Sequence, residues 1–335
     1  MKVTVVGAGS WGTSVAAIAS AHADAWLWAR NPQLAETVDR EHTNPEYLPG
    51  IPLPERLRAT SSIEEACRDA DVVVMGVPSH GFRAVLEQAR PCIGPDVPIV
   101  SLSKGVEQGT ELRMTQVVAD VLTGHRRDRI GVLTGPNLAR EVAEGQPTAS
   151  VIAMEDEQAA TDLQRVFMTA SFRVYTNPDV VGCEIAGALK NVIALGAGIA
   201  HGLGYGDNTK AALITRGLAE LARLGIALGG DPLTFSGLAG MGDLVATCTS
   251  EKSRNRTVGV ALGQGRALDD IVAEMKMVAE GVKSTAAVLE LAARHRVEMP
   301  IAEQVGAVLY EGRHPEEIVP ALMLRAAKPE LRGMR

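Results

Sequence analysis

The run Lys2-Val3-Thr4-Val5-Val6 leads directly into Gly7-Ala8-Gly9-Ser10-Trp11-Gly12, and then into Thr13-Ser14-Val15-Ala16-Ala17-Ile18-Ala19. A β-rich run, a glycine turn and a helical pattern of small residues constrain the fold more than any other segment. The spacing predicts a βα turn of the G-x-G-x-x-G type, which cradles a dinucleotide pyrophosphate. Gly7 permits the tight turn, Gly9 lets backbone approach the phosphates, and Gly12 lets helix pack on strand. The helix start then offers free N–H groups and the positive end of its dipole to an anion. A plain βα connection is the bland alternative.

The rest of the first half alternates in the same way. Strand-like runs fall at 2–6, 25–29, 57–60, 72–76, 99–102 and 131–133, with helical patterns such as 63–69 and 80–89 between them. This predicts a parallel sheet covered on both faces, extended by two later β-like runs at 149–153 and 172–175. After Thr176-Asn177-Pro178-Asp179 the β-rich runs stop, and helical patterns follow at 181–200, 209–228, 268–275, 284–295, 302–311 and 315–322. The expected fold class is therefore α/β: a Rossmann-type doubly wound sheet over 1–178, then a mostly α-helical second domain over 179–335.

Composition narrows the function classes. A length of 335 residues suits about two domains, and 46% hydrophobic residues supply their cores. A net charge of −7 argues against a nucleic-acid surface, though not against small anions. Cys67, Cys92, Cys183 and Cys248 are far apart, which fits a reducing cytoplasm rather than a disulfide frame or zinc knuckle. No signal peptide is expected ahead of a strand that begins at residue 2. The apolar stretch 191–206 is too interrupted by glycines to span a bilayer, so no membrane insertion is expected. No residue pattern suggests a metal.

Several segments carry candidate chemistry. The second strand runs into Arg30-Asn31 with no acid near its end, and a guanidinium suits a 2′-phosphate. NADP(H) is therefore favoured, with NAD(H) possible. Lys104 follows the strand-like run 97–102, where open α/β sheets bind ligands; it is equally a surface lysine. Gly135-Pro136-Asn137-Leu138-Ala139 repeats the form of strand end, turn and helix start. Lys190 lies in a pattern apolar nearly all round, so burial is expected to depress its pKa and fit it for proton transfer, the bland alternative being a lysine that snorkels its head into water. Asp243, alone in a glycine-rich run, is a partner of Lys190 or of a substrate hydroxyl, or equally a helix N-cap. Ser253-Arg254-Asn255 opens a further helical pattern and suits a phosphate.

Taken together, these strings resemble the NAD(P)-dependent glycerol-3-phosphate dehydrogenases, especially the bacterial type. The strings are 7–12, Ser-Lys-Gly at 103–105, Gly-Pro-Asn at 135–137, 172–179, Glu-Ile-Ala-Gly-Ala-Leu-Lys-Asn at 184–191, 202–208, 233–244 and Ser-Arg-Asn at 253–255. The resemblance implies a helical domain like the carboxy-terminal one of 6-phosphogluconate dehydrogenase. It implies hydride transfer between dihydroxyacetone phosphate and sn-glycerol 3-phosphate, which supplies phospholipid synthesis. It casts Lys190 as proton donor or acceptor, with Asp243 orienting it, Asn191 and Thr247 around the reacting carbonyl, and Lys104 as a further catalytic residue; the helical domain would bind the substrate. Substrate contacts would come from Lys104, Gly135, Asn137, Lys190, Asp243, Ser253, Arg254 and Asn255, with Asn137 standing where Ser or Thr is more usual. Cofactor contacts would come from Gly7, Gly9, Ser10, Trp11, Gly12, Arg30, Lys104, Ala139, Arg254, Val278 and Glu280. A homodimer and closure of a cleft between the domains are also implied.

Overall fold

The computed structural model describes residues 1–275, 279–327 and 329–330. By its internal contacts the chain divides into two units. One comprises Met1–Ser103 with Leu112–Val180, the other Lys104–Glu111 with Val181–Arg335.

Ten strands lie in the first unit: β1 (Lys2–Val6), β2 (Asp24–Trp28), β3 (Thr43–Asn44), β4 (Leu48–Pro52), β5 (Arg58–Thr60), β6 (Val72–Met75), β7 (Ile99–Ser101), β8 (Ile130–Thr134), β9 (Thr148–Ala153) and β10 (Phe172–Asn177). Eight form one sheet in the order β10-β9-β8-β7-β6-β1-β2-β5, and β3 pairs with β4 as a separate ribbon. The strand order reverses at β1, with β2 on one side and β6 on the other. The glycine turn leaves β1 at that switch point, where doubly wound sheets bind their ligands.

The valine runs explain the two covered faces. Side chains alternate along a strand, so Val3, Val5, Val72 and Val74 enter one core while Val6, Val73 and Met75 enter the other. One core includes Val15 and Ala16 of helix Ser10–Ala19, and the other includes Phe82 and Met114.

The expectation of a wholly parallel sheet needs one correction. β8 and β9 are antiparallel, with Leu133 opposite Ile152. The helix between them, Ala139–Ala143, has five residues. At ~1.5 Å per residue it covers only about 8 Å. That is too short to return the chain to the start of a neighbouring parallel strand. β10 then pairs with β9 in parallel, behind the full helix Glu157–Phe167.

The second unit is built around helix Val180–Gly202. By length and composition it could cross a bilayer, yet 94% of its most apolar window is buried in the protein, which marks a core helix. One side of it meets helix Arg254–Gly263 backbone to backbone. A Cβ on Gly198 would lie 2.3 Å from the Arg256 carbonyl oxygen, and one on Gly259 would lie 2.2 Å from that of Leu195. Gly202 and Gly263 repeat the contact one turn later. Only glycine permits helices to touch so closely. The seam brings the start of helix Arg254–Gly263 against the middle of helix Val180–Gly202.

Candidate active site

Lys190 projects from the middle of helix Val180–Gly202, where residues 182–200 are all buried. It is 6% exposed. Its ammonium donates to Asp243 Oδ1 and to Thr247 Oγ1, the latter at 2.8 Å. Asp243, 1% exposed, uses its other oxygen to accept from Lys104 Nζ at 2.7 Å. Thr247 Oγ1 in turn donates to the Asp243 main-chain oxygen at 2.6 Å, so its lone pairs face the ammonium. Two lysines therefore share one carboxylate in a place nearly closed to water. Burial drives the Lys190 pKa down from 10.5 to about 7; Asp243 opposes that shift and the Lys104 charge adds to it.

Local sequence explains how Asp243 gets there. The run Leu238–Gly242 forms a π-helical turn, and Asp243 opens helix Asp243–Thr249 with helical backbone angles. The N-cap is Gly242, and no side chain caps this helix. Of the sequence readings of Asp243, the contact with Lys190 is present and the side-chain cap is not. π-turns of this kind recur at functional sites because they re-aim the side chains that follow.

Beside the lysines, a relay of amides ties segment 104–111 to three helices. Asn191 Nδ2 donates to the Lys104 carbonyl at 3.2 Å, and Asn255 Nδ2 donates to Asn191 Oδ1 at 2.9 Å. The Gly281 N–H donates to Asn255 Oδ1 at 2.9 Å. Ser253 caps helix Arg254–Gly263 by accepting from the Arg256 N–H at 3.3 Å. Arg254 is exposed beside it, with Glu280 in electrostatic reach.

The first unit holds the glycine turn. Gly7 has φ +121°, and a Cβ there would lie 2.7 Å from the Gly76 oxygen. A Cβ on Gly12 would fall 2.0 Å from the Gly7 oxygen, whereas one on Gly9 would meet nothing within 4 Å. Gly7 and Gly12 are therefore dictated by the turn itself, and Gly9 leaves its backbone open to a ligand. Helix Ser10–Ala19 has no acid in its first turn to compete with an anion. Ser14 Oγ lies within hydrogen-bond reach of the Ser10 carbonyl at 2.9 Å and of the Ala139 carbonyl at 3.1 Å, so the turn after β8 sits against this helix.

Family models cover both units: the N-terminus of NAD-dependent glycerol-3-phosphate dehydrogenase matches residues 2–160, and its C-terminus matches residues 179–320. The chain belongs to the NAD-dependent glycerol-3-phosphate dehydrogenase family. A glycerol-3-phosphate dehydrogenase [NAD(P)+] of Sphingopyxis alaskensis is 57% identical over 305 residues, 91% of each chain. One from Streptomyces griseus is 54% identical over 99% of each chain. Among solved structures, the glycerol-3-phosphate dehydrogenase of Coxiella burnetii superposes with a TM-score of 0.91 at 37% identity, covering 97% of this chain and 99% of its own.

Of the family residues anticipated from sequence, Lys104, Lys190, Asn191, Asp243, Thr247, Ser253, Arg254, Asn255 and Glu280 all lie in the helical unit. Lys104 is the surprise, because chain order attaches it to β7. Gly7, Gly9, Ser10, Trp11, Gly12, Arg30, Gly135, Asn137 and Ala139 lie in the first unit. Val278 lies outside the described residues. Gly135 has φ +136°, and Arg30 is exposed just past β2. Asn137 Nδ2 donates to Ser150 Oγ at 3.0 Å, while its Oδ1 is buried with no hydrogen-bond partner. Ser150 gives its only proton to the Thr134 carbonyl, which fixes that amide orientation.

Sequence reasoning missed the ribbon β3–β4. Its Asn44 is fully buried and donates to the Ala8 carbonyl at 3.0 Å and to Thr13 Oγ1 at 2.8 Å. The Tyr47 carbonyl accepts from Ser10 Oγ at 2.7 Å. Asn44 and Tyr47 thus brace the glycine turn from outside. The strings His42-Thr43-Asn44 and Tyr47-Leu48-Pro49-Gly50 hold turn formers and two short β-like pieces, a signal too weak to have found them. A cavity of about 620 Å³ in the helical unit lies elsewhere, lined by Arg216, Glu220, Arg223 and Leu322 among others, and none of the lysine–aspartate residues lines it.

Proposed function

We infer that this chain interconverts dihydroxyacetone phosphate and sn-glycerol 3-phosphate with a nicotinamide dinucleotide, and that Lys190 donates the proton in the reductive direction. The observation that carries this reading is the buried Lys190 ammonium, paired with Asp243 and poised to lose its proton near pH 7. Among the described residues, Asp243 and Thr247 take two of its three N–H groups. The third is left for a substrate oxygen.

The chemistry a nicotinamide would supply here when bound is hydride transfer to or from the substrate C2. Negative charge then develops on the substrate oxygen, and the Lys190 N–H stabilises that charge before passing the proton across. The amine left behind is neutral, and Asp243 stays balanced by Lys104. In the oxidative direction the neutral amine takes the hydroxyl proton. Ser253, Arg254 and Asn255 would hold the substrate phosphate, with the start of helix Arg254–Gly263 adding N–H groups.

The residues present suit the cofactor. Gly9 leaves its approach open, the helix start behind it lacks acids, and Trp11 Nε1 is a buried donor with no hydrogen-bond partner. Gly7, Gly9, Ser10, Trp11, Gly12, Arg30 and Ala139 of the first unit would hold it. We favour NADP(H) because Arg30 is exposed past the end of β2 and no carboxylate follows that strand there. Arg30→Asp is expected to lower the NADPH-to-NADH ratio of kcat/KM about tenfold or more, as befits a charge-assisted contact. An unchanged ratio would remove Arg30 as the selector.

The function itself is tested by oxidation of NADPH with dihydroxyacetone phosphate, with 3-hydroxyacids and 6-phosphogluconate as control substrates. Turnover of a control alone would overturn the assignment. Arg254→Ala is expected to raise the KM for dihydroxyacetone phosphate roughly 10- to 100-fold with folding intact, the effect of losing a charged hydrogen bond. If that KM stays put, Arg254 does not hold the phosphate. The chain is further expected to work as a cytoplasmic homodimer, for which the mass of the purified protein in solution is the check.

A further inference from the structure

Residues 104–111 follow β7 and precede helix Met114–Val121, both in the first unit, yet they pack with the helical unit. The chain leaves the sheet abruptly. The Leu102 N–H still donates to the Met75 carbonyl at 2.9 Å, and Ser103 Oγ to that of Val77. From Lys104 onward several anchors lie in the helical unit. The Lys104 carbonyl accepts from Asn191, Val106 is 2% exposed in the helical core, and Gln108 Nε2 donates to the Lys283 carbonyl at 2.9 Å.

The strap ends at Glu111. This residue has φ +54°, in the left-handed region that non-glycine residues avoid. Its side chain is 8% exposed and forms an ion pair with Arg294 in the last turn of helix Glu280–Arg294. A strained backbone and a nearly buried carboxylate are both unfavourable unless something requires them. What they secure is the far end of the segment that carries Lys104.

We propose that Glu111 and Arg294 are positioning residues for the reaction, clamping the strap 104–111 so that the Lys104 ammonium stays on Asp243. The proposal rests on reading Lys104, Asp243 and Lys190 as the reacting cluster. Neither Glu111 nor Arg294 touches that cluster in any described contact; they act through the strap.

The test uses the full-length enzyme with NADPH and dihydroxyacetone phosphate, comparing Glu111→Gln, Arg294→Gln, the double variant and Lys104→Met. Each single clamp variant is expected to lower kcat roughly tenfold, in keeping with small misplacements of a catalytic group. The double variant should fall no further than the worse single, because both remove one clamp. The groups acting on Lys190 are Asp243, Lys104 and the nearby Cys248 thiol. Moving Lys104 away relieves its repulsion, so the basic limb of kcat/KM should move to higher pH, as in Lys104→Met. A clamp that is only structural would lower the melting temperature while leaving kcat and that limb unchanged, which overturns the proposal but not the cluster. If Lys104→Met is itself unimpaired, the cluster reading fails and the proposal with it. Should Glu111→Gln not fold, Arg294→Gln carries the same test from the exposed side of the pair.

Discussion

Replacing Lys190 with alanine is expected to lower turnover of dihydroxyacetone phosphate by about 100-fold or more, the usual range for a positioned acid–base group. The loss should appear in kcat and kcat/KM together, because the proton is needed only in the transition state. Wild-type pH dependence supplies the companion result. Reduction needs the protonated amine, so kcat/KM for reduction should fall as pH rises through about 7, while oxidation should gain over the same window. Near-normal turnover of the alanine variant, with folding verified by circular dichroism, would remove Lys190 from the chemistry.

Asp243→Asn is expected to have the second-largest effect, on activity and stability at once. Asp243 is the carboxylate shared by Lys104 and Lys190. Removing one partner of a buried ion pair costs about 3–5 kcal/mol, because the other charge stays behind. Lys190 can escape by losing its proton, since Asp243 is what raises its pKa against burial. In the variant its folded-state pKa should drop below about 7, against 10.5 for the free side chain. Between those values the unfolded chain binds more protons than the folded one, so stability should rise with pH. Denaturant unfolding at pH 6 and pH 9 measures this. A variant equally stable at both would contradict the charge balance assigned to the cluster. The basic limb of reduction should also move to lower pH, opposite to Lys104→Met.

Much of this site was legible in the chain because its residues break local rules. A lysine inside an apolar helical pattern, and an aspartate alone among glycines, announce themselves by their cost. Gly7 and Gly12 were legible because their spacing is a steric demand of one turn, met here by contacts of 2.7 Å and 2.0 Å to a hypothetical Cβ. The direction of β9 was not legible. A hydrophobic run specifies burial, while pairing direction is set by the length of the connection, here a helix of five residues. The strap 104–111 was hidden for a related reason. Eight residues with Val106 buried among them carry no period, and nothing local says which unit they join. Asn44 was hidden because its partners, Ala8 and Thr13, are 36 and 31 residues away.

The glycine seam between helices Val180–Gly202 and Arg254–Gly263 has a bearing on selectivity. With backbone resting on backbone, no side chain at Gly198, Gly202, Gly259 or Gly263 can act as an adjustable shim. The offset between Lys190 on one helix and the Ser253–Asn255 turn on the other is thereby set by the thickness of the main chain itself. The pair behaves as a fixed gauge, with the proposed proton donor at one jaw and the proposed phosphate turn at the other. On the proposed roles, a substrate would be measured by the length between its carbonyl and its phosphate, and a longer homologue would find no slack in the gauge to take up the difference.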